Sequence, residues 1–267
     1  MKPTMLTLYH HNISVCAQKV RLALDEKGIP WRSVEVDLMK QEHLTPEFLK
    51  INPRGLVPVL IHDDATVTES TVILEYIEDV FPEPRLRPAA PLDAARMRMW
   101  TKVPDEGLHI ACASVTYASA FVHQLRAHHD RAEWEARLAR LPDRARAARQ
   151  RQILEQEFDA PFVKDAVQLH DKVLKEMEST LSSRTWLAGP AFTLADIAII
   201  PYITRLDRLG LEGMWAARPH VERWFAAMQA RPSFGTAITA FRSNAYDDEL
   251  KKQGIDVWPQ IQALMAA

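Results

Sequence analysis

The feature that most constrains the fold of this chain is a change of pattern at a proline-rich stretch that begins at Pro82. Before it, short apolar runs typical of strands alternate with segments of helical periodicity, and after it every periodic segment is typical of a helix. Prolines interrupt helices and strands because proline lacks an amide hydrogen and has a fixed φ. We therefore predict one domain over residues 1–82 and another over residues 93–267, joined by a linker over 83–92.

The first domain is predicted to contain four strands and two main helices. Their order is strand, helix, strand, strand, strand, helix, with one helical turn before the third strand, and the segments are 6–9, 15–27, 31–37, 45–49, 57–62, 65–68 and 70–80. A strand–helix–strand unit followed by two strands and a helix is the thioredoxin-like arrangement. The predicted fold class is therefore an α/β thioredoxin-like N-terminal domain followed by an all-α helical C-terminal domain.

The second domain carries helical patterns throughout. Helical periodicity runs over 93–125, and further helices are predicted over 163–181, 194–206 and 220–230. A segment rich in arginine and alanine, 127–151, is interrupted by Pro142, and we interpret it as a solvated helical excursion. The tail after Arg231 is long, and its part from about Ser243 to Ala267 exceeds what the core of such a domain needs.

Composition excludes several classes of protein. The 267 residues carry a net charge of -2, which gives no electrostatic reason to expect a nucleic acid or a membrane as partner. Cys16 and Cys112 are the only cysteines, so we expect a reducing compartment and no disulfide framework. The N-terminus lacks the apolar core of a signal peptide, and no apolar run has the length of a membrane span. We therefore expect a cytoplasmic protein.

Four motifs, in order along the chain, resemble the cytosolic glutathione S-transferase family, and the resemblance covers nearly the whole chain. They are the turn with Leu8-Tyr9, Ser14, Cys16, Val20 and Arg21, the segment Asn52–Leu60, the turn Thr68-Glu69-Ser70 with Ile73, Tyr76 and Ile77, and the C-terminal signatures within 192–196 and 224–234. The pattern is closest to bacterial theta-like, zeta-like and β-etherase-like members. The resemblance implies the glutathione transferase architecture, glutathione as co-substrate, a homodimer formed through the helices after the linker, and a role in detoxification.

Ser14 is the first predicted catalytic residue. It precedes a helical pattern, where a hydroxyl can donate a hydrogen bond to a thiolate while the helix N-terminus adds positive potential. A free thiol has a pKa of about 8.5, and lowering it by one to two units takes roughly 1.4 to 2.8 kcal/mol. A charge-assisted hydrogen bond and the helix dipole together are of that size. The alternative is that Ser14 only caps the helix.

Cys16, in the first turn of the same helix, is the second predicted catalytic residue. The pKa of a cysteine is lowered at a helix N-terminus. Some branches of the family use a cysteine for thiol–disulfide exchange, although in the position that Ser14 occupies here. The serine-using branch that isomerises maleyl-type compounds has a similar Ser-x-Cys pair. The alternative is that Cys16 packs under the loop, as we expect Cys112 to pack inside a helix.

Five residues are predicted to bind glutathione. The resemblance implies a cis bond between Val57 and Pro58, which would offer the Val57 backbone to the cysteinyl backbone of glutathione as an added strand. Ser70 opens a helix and offers its hydroxyl and amide to a carboxylate, and Glu69 can take the γ-glutamyl ammonium. His43 matches a family position that contacts the glycyl carboxylate.

Each of these assignments has an alternative. Pro58 could be a trans proline that opens an edge strand, and residues 68–70 could only cap a helix. Leu56 occupies a position where some relatives carry lysine, and Arg54 or Lys40 could supply the missing positive charge.

The pocket for the second substrate is expected between the loop at 10–13 and the helix after the linker. The residues predicted to line it are His11, Asn12, Trp100, His109, Tyr117 and Phe121. For each of them the alternative is an ordinary core or interface residue. We predict no metal site, because no histidines, cysteines and carboxylates recur at a ligand spacing.

We therefore predict a glutathione transferase that activates the glutathione thiolate for attack on a hydrophobic small-molecule electrophile. Glutathione-dependent cleavage of β-aryl ethers is one alternative, because the segments 68–91 and 97–102 and the arginine-rich excursion resemble the bacterial enzymes that cleave lignin fragments. Thiol–disulfide or glutathionyl reduction through Cys16 is another. A non-enzymatic transferase-like binding module is the third, and the intact site motifs argue against it.

Overall fold

Four strands in the described part of the chain form one mixed sheet. The computed structural model describes residues 5–266, without the side chains of Asn244 and Ala245. The strands are β1 (Leu6–His10), β2 (Trp31–Glu35), β3 (Val59–His62) and β4 (Ala65–Val67), in the order β2-β1-β3-β4. β1 runs parallel to β2 and antiparallel to β3, and β3 and β4 form an antiparallel hairpin.

Helices in this first part of the chain begin and end at local signals in the sequence. The helices are α1 (Val15–Glu26), α2 (Pro46–Ile51), α3 (Ser70–Val80) and α4 (Pro91–Lys102). The hydroxyls of Ser14 and Thr45 accept hydrogen bonds from first-turn amides of α1 and α2, as N-cap residues do. Gly28 follows the end of α1 with a φ of 62°, a left-handed conformation that glycine adopts without steric cost.

Apolar side chains of β1, α1, β3 and α3 make up the core around the sheet. Its fully buried members include Leu6, Leu8, Val20, Leu24, Leu60, Ile73, Leu74 and Ile77. α1 and α3 pack against each other, and the buried positions of α3 recur at the spacing of an amphipathic helix. Truncation of one such side chain to alanine costs about 2–5 kcal/mol.

The rest of the described chain is helical, as predicted. The helices are α5 (His109–Thr116), α6 (Val122–His128), α7 (Arg131–Ala139), α8 (Arg144–Gln156), α9 (Pro161–Leu181), α10 (Leu194–Arg208), α11 (Pro219–Gln229), α12 (Pro232–Ala237), α13 (Asn244–Asp256) and α14 (Trp258–Ala266). α7 and α8 show that the arginine-rich excursion is helical. The C-terminal tail, for which the pattern predicted no element, contains α12, α13 and α14.

The segment 93–125 is helical, as its periodicity predicted, but it is not one continuous helix. α4 ends early, and π-helical turns at Pro104–Leu108 and Tyr117–Phe121 interrupt the helical path. Pro104 has no amide to donate to the preceding turn, and Gly107 adopts a φ of 138°, which side chains disfavour. These two residues explain why the first interruption falls between α4 and α5.

The chain divides into two compact units. The first unit holds the chain up to Lys102 with Arg184–Pro201 and Ala226–Arg242, and the second unit holds Val103–Ser183, Tyr202–Phe225 and the chain from Ser243 onward. A second cis peptide bond, Glu83–Pro84, lies within the predicted linker. The domain borders at residues 82 and 93 stay a prediction.

Candidate active site

Ser14 lies at the turn between β1 and α1, where it is half-buried. Its Oγ accepts a hydrogen bond from the amide of Ala17 at 3.2 Å. This bond uses one acceptor position of the oxygen and leaves the hydroxyl hydrogen for another acceptor, since a hydroxyl has one donor and two acceptor positions. Capping the helix and donating to a thiolate are therefore compatible roles for this side chain.

Cys16 lies in the first turn of α1, two residues after Ser14. It is half-buried and forms no disulfide, and Cys112, which is buried within α5, forms none either. The start of α1 therefore offers one hydroxyl and one thiol on the same turn of backbone. The assignment of the catalytic role to either of them stays a prediction.

Arg21 organises the backbone of this turn. Its side chain is fully buried, and the two terminal nitrogens donate to the main-chain oxygens of His11 at 3.3 Å and Asn12 at 3.5 Å. Its Nε donates to the main-chain oxygen of Ala237 at 2.7 Å. A guanidinium carries five donors in a fixed planar fork, so one side chain holds two separate stretches of backbone. The signal for this role in the sequence is an arginine among the apolar positions of α1.

His10, at the end of β1, completes the network around Arg21. Nη1 of Arg21 donates to Nδ1 of His10 at 3.1 Å, and Nε2 of His10 lies 2.7 Å from the hydroxyl oxygen of Ser33. Because Arg21 has only donors, Nδ1 is the acceptor and Nε2 carries the hydrogen. Burial, the charge of Arg21 and then the charge of His11 lower the pKa of His10 to about 4. His10 is therefore a neutral imidazole at neutral pH.

His11 and Asn12 were both predicted to contact the second substrate, and both lie in this turn. His11 is buried, and its Nδ1 accepts from the amide of Ile13 at 3.3 Å. Burial lowers the pKa of His11, against Asp37, which raises it. Oδ1 of Asn12 is buried and has no hydrogen-bond partner among the described residues.

The peptide bond between Val57 and Pro58 is cis, as predicted. Val57 precedes β3 and lies outside the pairing register of the sheet. Its side chain packs against the small apolar cluster of Val36, Phe48 and Val59. Main-chain groups beside a sheet but outside its register are those with which an extended ligand backbone pairs.

Glu69 and Ser70 are adjacent at the start of α3 but differ in exposure. Glu69 has a φ of 65°, and its carboxylate forms an ion pair with Arg54. The side chains of Arg54 and Glu69 are 63% and 52% exposed, whereas Ser70 is only 7% exposed. The two neighbours therefore present a carboxylate and a hydroxyl side by side, the groups that complement an ammonium and a carboxylate.

His43 and Lys40, two of the residues predicted for the glycyl carboxylate, lie in the loop between β2 and α2. His43 is buried within the 3-10 turn Glu42–Leu44. Lys40 is exposed, and its Nζ lies 3.1 Å from Oδ2 of Asp37. This hydrogen-bonded ion pair raises the pKa of Lys40. Lys40 is thus paired with Asp37, and Arg54 with Glu69.

Tyr117 and Phe121, predicted to line the second-substrate pocket, contact each other in the second unit. Their ring centroids are 5.2 Å apart with an interplanar angle of 78°. Burial raises the pKa of Tyr117, against the nearby positive charges of Arg146 and Arg137. The two rings and the charges of α7 and α8 therefore share one region of the helical unit.

Trp100 and His109 belong to different units. Trp100 is half-buried on α4 of the first unit. His109 begins α5 of the second unit, where its Nδ1 lies 3.5 Å from the hydroxyl of Tyr202. Contact of either residue with a substrate stays a prediction.

Residues 5–266 contain neither a metal site nor a membrane-spanning helix. Within that range, no group of three or more histidine, cysteine or acidic side chains is arranged to hold a metal ion. No helix there is both long and apolar enough to cross a membrane.

Comparisons with known sequences find relatives along most of the chain. Residues 13–80 match the model described as "Glutathione S-transferase, N-terminal domain", and residues 134–232 match "Glutathione S-transferase, C-terminal domain". Protein LigF of Sphingobium sp. strain SYK-6 is 33% identical over 93% of this chain and 97% of its own length. Glutathione S-transferase 3 of Zea mays is 32% identical over 88% of this chain and 94% of its own length.

Comparison with solved structures finds the same architecture. The crystal structure of the β-etherase LigF from Sphingobium sp. strain SYK-6 matches with a TM-score of 0.79 and 31% identity, over 88% of this chain and 99% of that chain. The predicted fold class, a small α/β domain followed by a helical domain, is thereby confirmed.

Proposed function

Because the chain belongs to the glutathione S-transferase family, we propose that the turn at Ser14 holds the thiol of glutathione and stabilises its thiolate. The chain is a glutathione transferase with glutathione as its co-substrate. In the reaction, the thiolate sulfur forms a bond to an electrophilic carbon of a hydrophobic substrate. The leaving group departs with the electron pair of its own bond to that carbon.

The observation that carries this proposal is the position of the Ser14 hydroxyl. Its oxygen already accepts from the Ala17 amide, so its hydrogen is free to point toward a sulfur anion. The amides at the start of α1 and the helix dipole add positive potential at the same point. One charge-assisted hydrogen bond is worth about 1.5–3 kcal/mol, enough to lower a thiol pKa by one to two units.

Recognition of the tripeptide follows from the groups at the start of α3 and before β3. We propose that Glu69 binds the γ-glutamyl ammonium and Ser70 the adjacent carboxylate. The main chain of Val57, before the cis Pro58, pairs with the cysteinyl backbone. His43 contributes to the glycyl end from its 3-10 turn. Binding at both ends of glutathione places its sulfur at Ser14.

The second substrate is proposed to bind beside the same turn, next to the loop at residues 10–13. We propose that His11 and Asn12 contact the electrophile, because both lie in the turn between β1 and Ser14 and Asn12 is only half-buried.

Cleavage of a β-aryl ether is the second candidate function, and the similarity to the β-etherase LigF favours it. The same thiolate would attack the carbon that carries the ether oxygen. The carbon–sulfur bond forms, the carbon–oxygen bond breaks, and the phenolate leaves and takes a proton from water. The step needs no reagent beyond glutathione, so one arrangement of Ser14 serves both reactions.

A binding and conjugation assay tests the proposed function. Titration calorimetry with glutathione, and with S-methylglutathione as the control ligand without a thiol, measures tripeptide binding. Conjugation is then followed with a chlorodinitrobenzene and ether cleavage with a β-aryl ether, both in the presence of glutathione. Saturable binding with turnover of either electrophile supports the proposal. Absence of glutathione binding by the folded protein would contradict it.

We further propose that the protein is a homodimer. Val72 on α3, and Leu92 and Met99 on α4, are large apolar side chains that stand exposed in the first unit. Leu92 and Met99 are seven residues apart and therefore lie on one face of α4. Arg98 Nε lies 3.7 Å from Oε1 of Glu75, so α3 and α4 are neighbours. A second copy of the chain would cover this apolar surface.

The cellular location and the domain borders are also proposals. Neither cysteine forms a disulfide, as is common for proteins of the reducing cytoplasm, and we propose that location. We propose 83–92 as the linker between the domains 1–82 and 93–267, because four prolines lie at 82, 84, 88 and 91. Limited proteolysis that cuts first within this stretch would support the border.

A further inference from the structure

Lys19 is a buried lysine at the glutathione site. It lies on α1 and is 0% exposed, and its ammonium is directed at the start of α3. Nζ of Lys19 donates to the hydroxyl oxygen of Ser70 at 3.4 Å. Lysine is almost never fully buried unless it is paired, because removing an ammonium from water is costly. The contact with Ser70 therefore places a buried positive charge directly behind the start of α3.

The bond from Lys19 fixes what the Ser70 hydroxyl can do. An ammonium has three donors and no acceptor, so the Ser70 oxygen must be the acceptor in this contact. The hydroxyl hydrogen is then directed away from Lys19 toward another acceptor. The first intrahelical bond of α3 runs from the Ile73 amide to the Glu69 carbonyl at 2.8 Å. The Ser70 amide precedes that bond, so it is one of the free donors of the first turn.

We propose that Lys19 is a positioning residue for the γ-glutamyl α-carboxylate of glutathione, acting through Ser70. The inference rests on the glutathione site proposed above. The ammonium donates to the Ser70 oxygen, and the Ser70 hydroxyl donates to the carboxylate. Positive charge on Lys19 strengthens this chain because the carboxylate is an anion and the intervening space is protein rather than water. Lys19 thereby sets the preference of the site for a ligand with that carboxylate.

The neighbouring ammonium subsite is built differently. Glu69 is exposed and ion-paired with the exposed Arg54, and an ion pair in water is worth little. Arg54 can therefore give way to a ligand ammonium. Lys19, in contrast, is fully buried on α1, which packs against α3. The carboxylate half of the head-group site is thus the more buried half.

Two tripeptides test this proposal. One is glutathione, and the other is 4-aminobutanoyl-cysteinyl-glycine, which keeps the ammonium, the thiol and the glycyl end but lacks the α-carboxylate. Dissociation constants for both are measured with the wild-type chain and with Lys19→Met, which keeps the length of the side chain and removes its charge. The wild-type chain should prefer glutathione by tenfold or more, a factor typical of one charge-assisted hydrogen bond.

Lys19→Met should lose most of that preference. We expect weaker binding of glutathione, unchanged binding of the decarboxylated tripeptide, and a higher KM for glutathione with kcat little changed. An equal loss of affinity for both tripeptides would overturn the proposal, because it would indicate a purely structural role. If the wild-type chain bound neither tripeptide, the proposed function itself would fail, which is a separate outcome.

Lys27→Met is the matched control. Lys27 lies just past the end of the same helix and is also buried, and its ammonium contacts Glu78 at 2.7 Å and the main-chain oxygens of Phe81 and Pro84. Its loss should lower stability and leave the preference between the two tripeptides intact. If Lys19→Met does not fold, Lys19→Gln keeps a donor without the charge, and the same two outcomes apply to it.

Discussion

The buried guanidinium of Arg21 lies 4.2 Å from the centre of the Phe241 ring. The same group donates to the main-chain oxygen of Ala237, so α1 is fastened to the C-terminal end of α12. Its terminal nitrogens hold the main-chain oxygens of His11 and Asn12, just before Ser14. The turn that carries Ser14 is thus fixed by a residue that is seven positions further along the chain.

Removal of the Arg21 guanidinium should damage both the fold and the reaction. In Arg21→Met, the buried main-chain oxygens of Ala237 and His11 lose a charged donor, and we expect a loss of about 3 kcal/mol or more in the free energy of unfolding. The turn would also loosen, so kcat/KM should fall at temperatures where the variant is folded. Urea unfolding and steady-state kinetics measure the two effects. Wild-type stability in Arg21→Met would contradict this role of Arg21 in holding the turn. Arg21→Lys keeps the positive charge but lacks the planar guanidinium, so it should recover only part of the lost stability and activity.

Acid should destabilise the protein through two buried histidines. The pKa of His10 is lowered to about 4 by burial, the Arg21 charge and the His11 charge, and burial lowers the pKa of His170 to about 4. Between these values and the ordinary 6.5, the unfolded chain binds more protons than the folded chain, so stability rises with pH in that window. Each histidine contributes up to about 3 kcal/mol, present above pH 6.5 and lost as the pH falls to about 4.

Urea unfolding at several pH values between about 4.5 and 7.5 measures this dependence. His10→Gln should flatten the slope, and His128→Gln, which changes an exposed histidine, should not. A stability that is constant across this range would show that the two histidines are not held neutral in the fold.

The ion pair between Arg54 and Glu69 should oppose glutathione binding slightly. If Glu69 binds the γ-glutamyl ammonium, Arg54→Met frees its carboxylate, and we expect KM for glutathione to fall by up to about fivefold, the range of an exposed ion pair. Glu69→Gln should raise KM with kcat little changed. Lys40→Met is the control, because it also removes an exposed, ion-paired positive charge from this region. A higher KM in Arg54→Met would instead assign Arg54 to the glycyl carboxylate.

A charge on the exposed face of α4 should prevent dimer formation. Met99 is 70% exposed, and Met99→Glu would place a carboxylate in the proposed interface at a cost that an apolar contact cannot offset. Equilibrium sedimentation at micromolar concentration should show a dimer for the wild-type chain and a monomer for Met99→Glu. Met39→Glu alters another exposed methionine and should remain dimeric. A monomeric wild-type chain would exclude the homodimer.

Features set by neighbouring residues could be predicted from the sequence. Ser14 precedes a helical pattern, and it caps α1; Gly28 follows the pattern, and it ends the helix. The cis bond at Pro58 was implied by the family resemblance and is present. Each of these depends on a few adjacent residues, which is why a linear pattern contains the information.

Features that join distant residues could not be predicted in the same way. Arg21 and Ala237 are 216 positions apart, and Lys19 and Ser70 are 51 apart. Arg21 and Lys19 both lie on α1. The helical pattern predicts which face of the helix each one occupies, but not which residue it contacts. The partner is set by the packing of α1 against α3 and α12, which no periodicity encodes. The break between α4 and α5 does not follow from the helical periodicity of 93–125, because it depends on Gly107 adopting an unusual φ.

The ionisation of the bound thiol tests the central claim most directly. The ultraviolet absorbance of the thiolate is followed with pH in the glutathione complexes of the wild-type chain, Ser14→Ala and Cys16→Ala. We predict a thiol pKa one to two units below the free value of about 8.5 in the wild-type and Cys16→Ala complexes, and a value near the free one in Ser14→Ala. A lowered pKa that survives in Ser14→Ala would contradict the role assigned to Ser14.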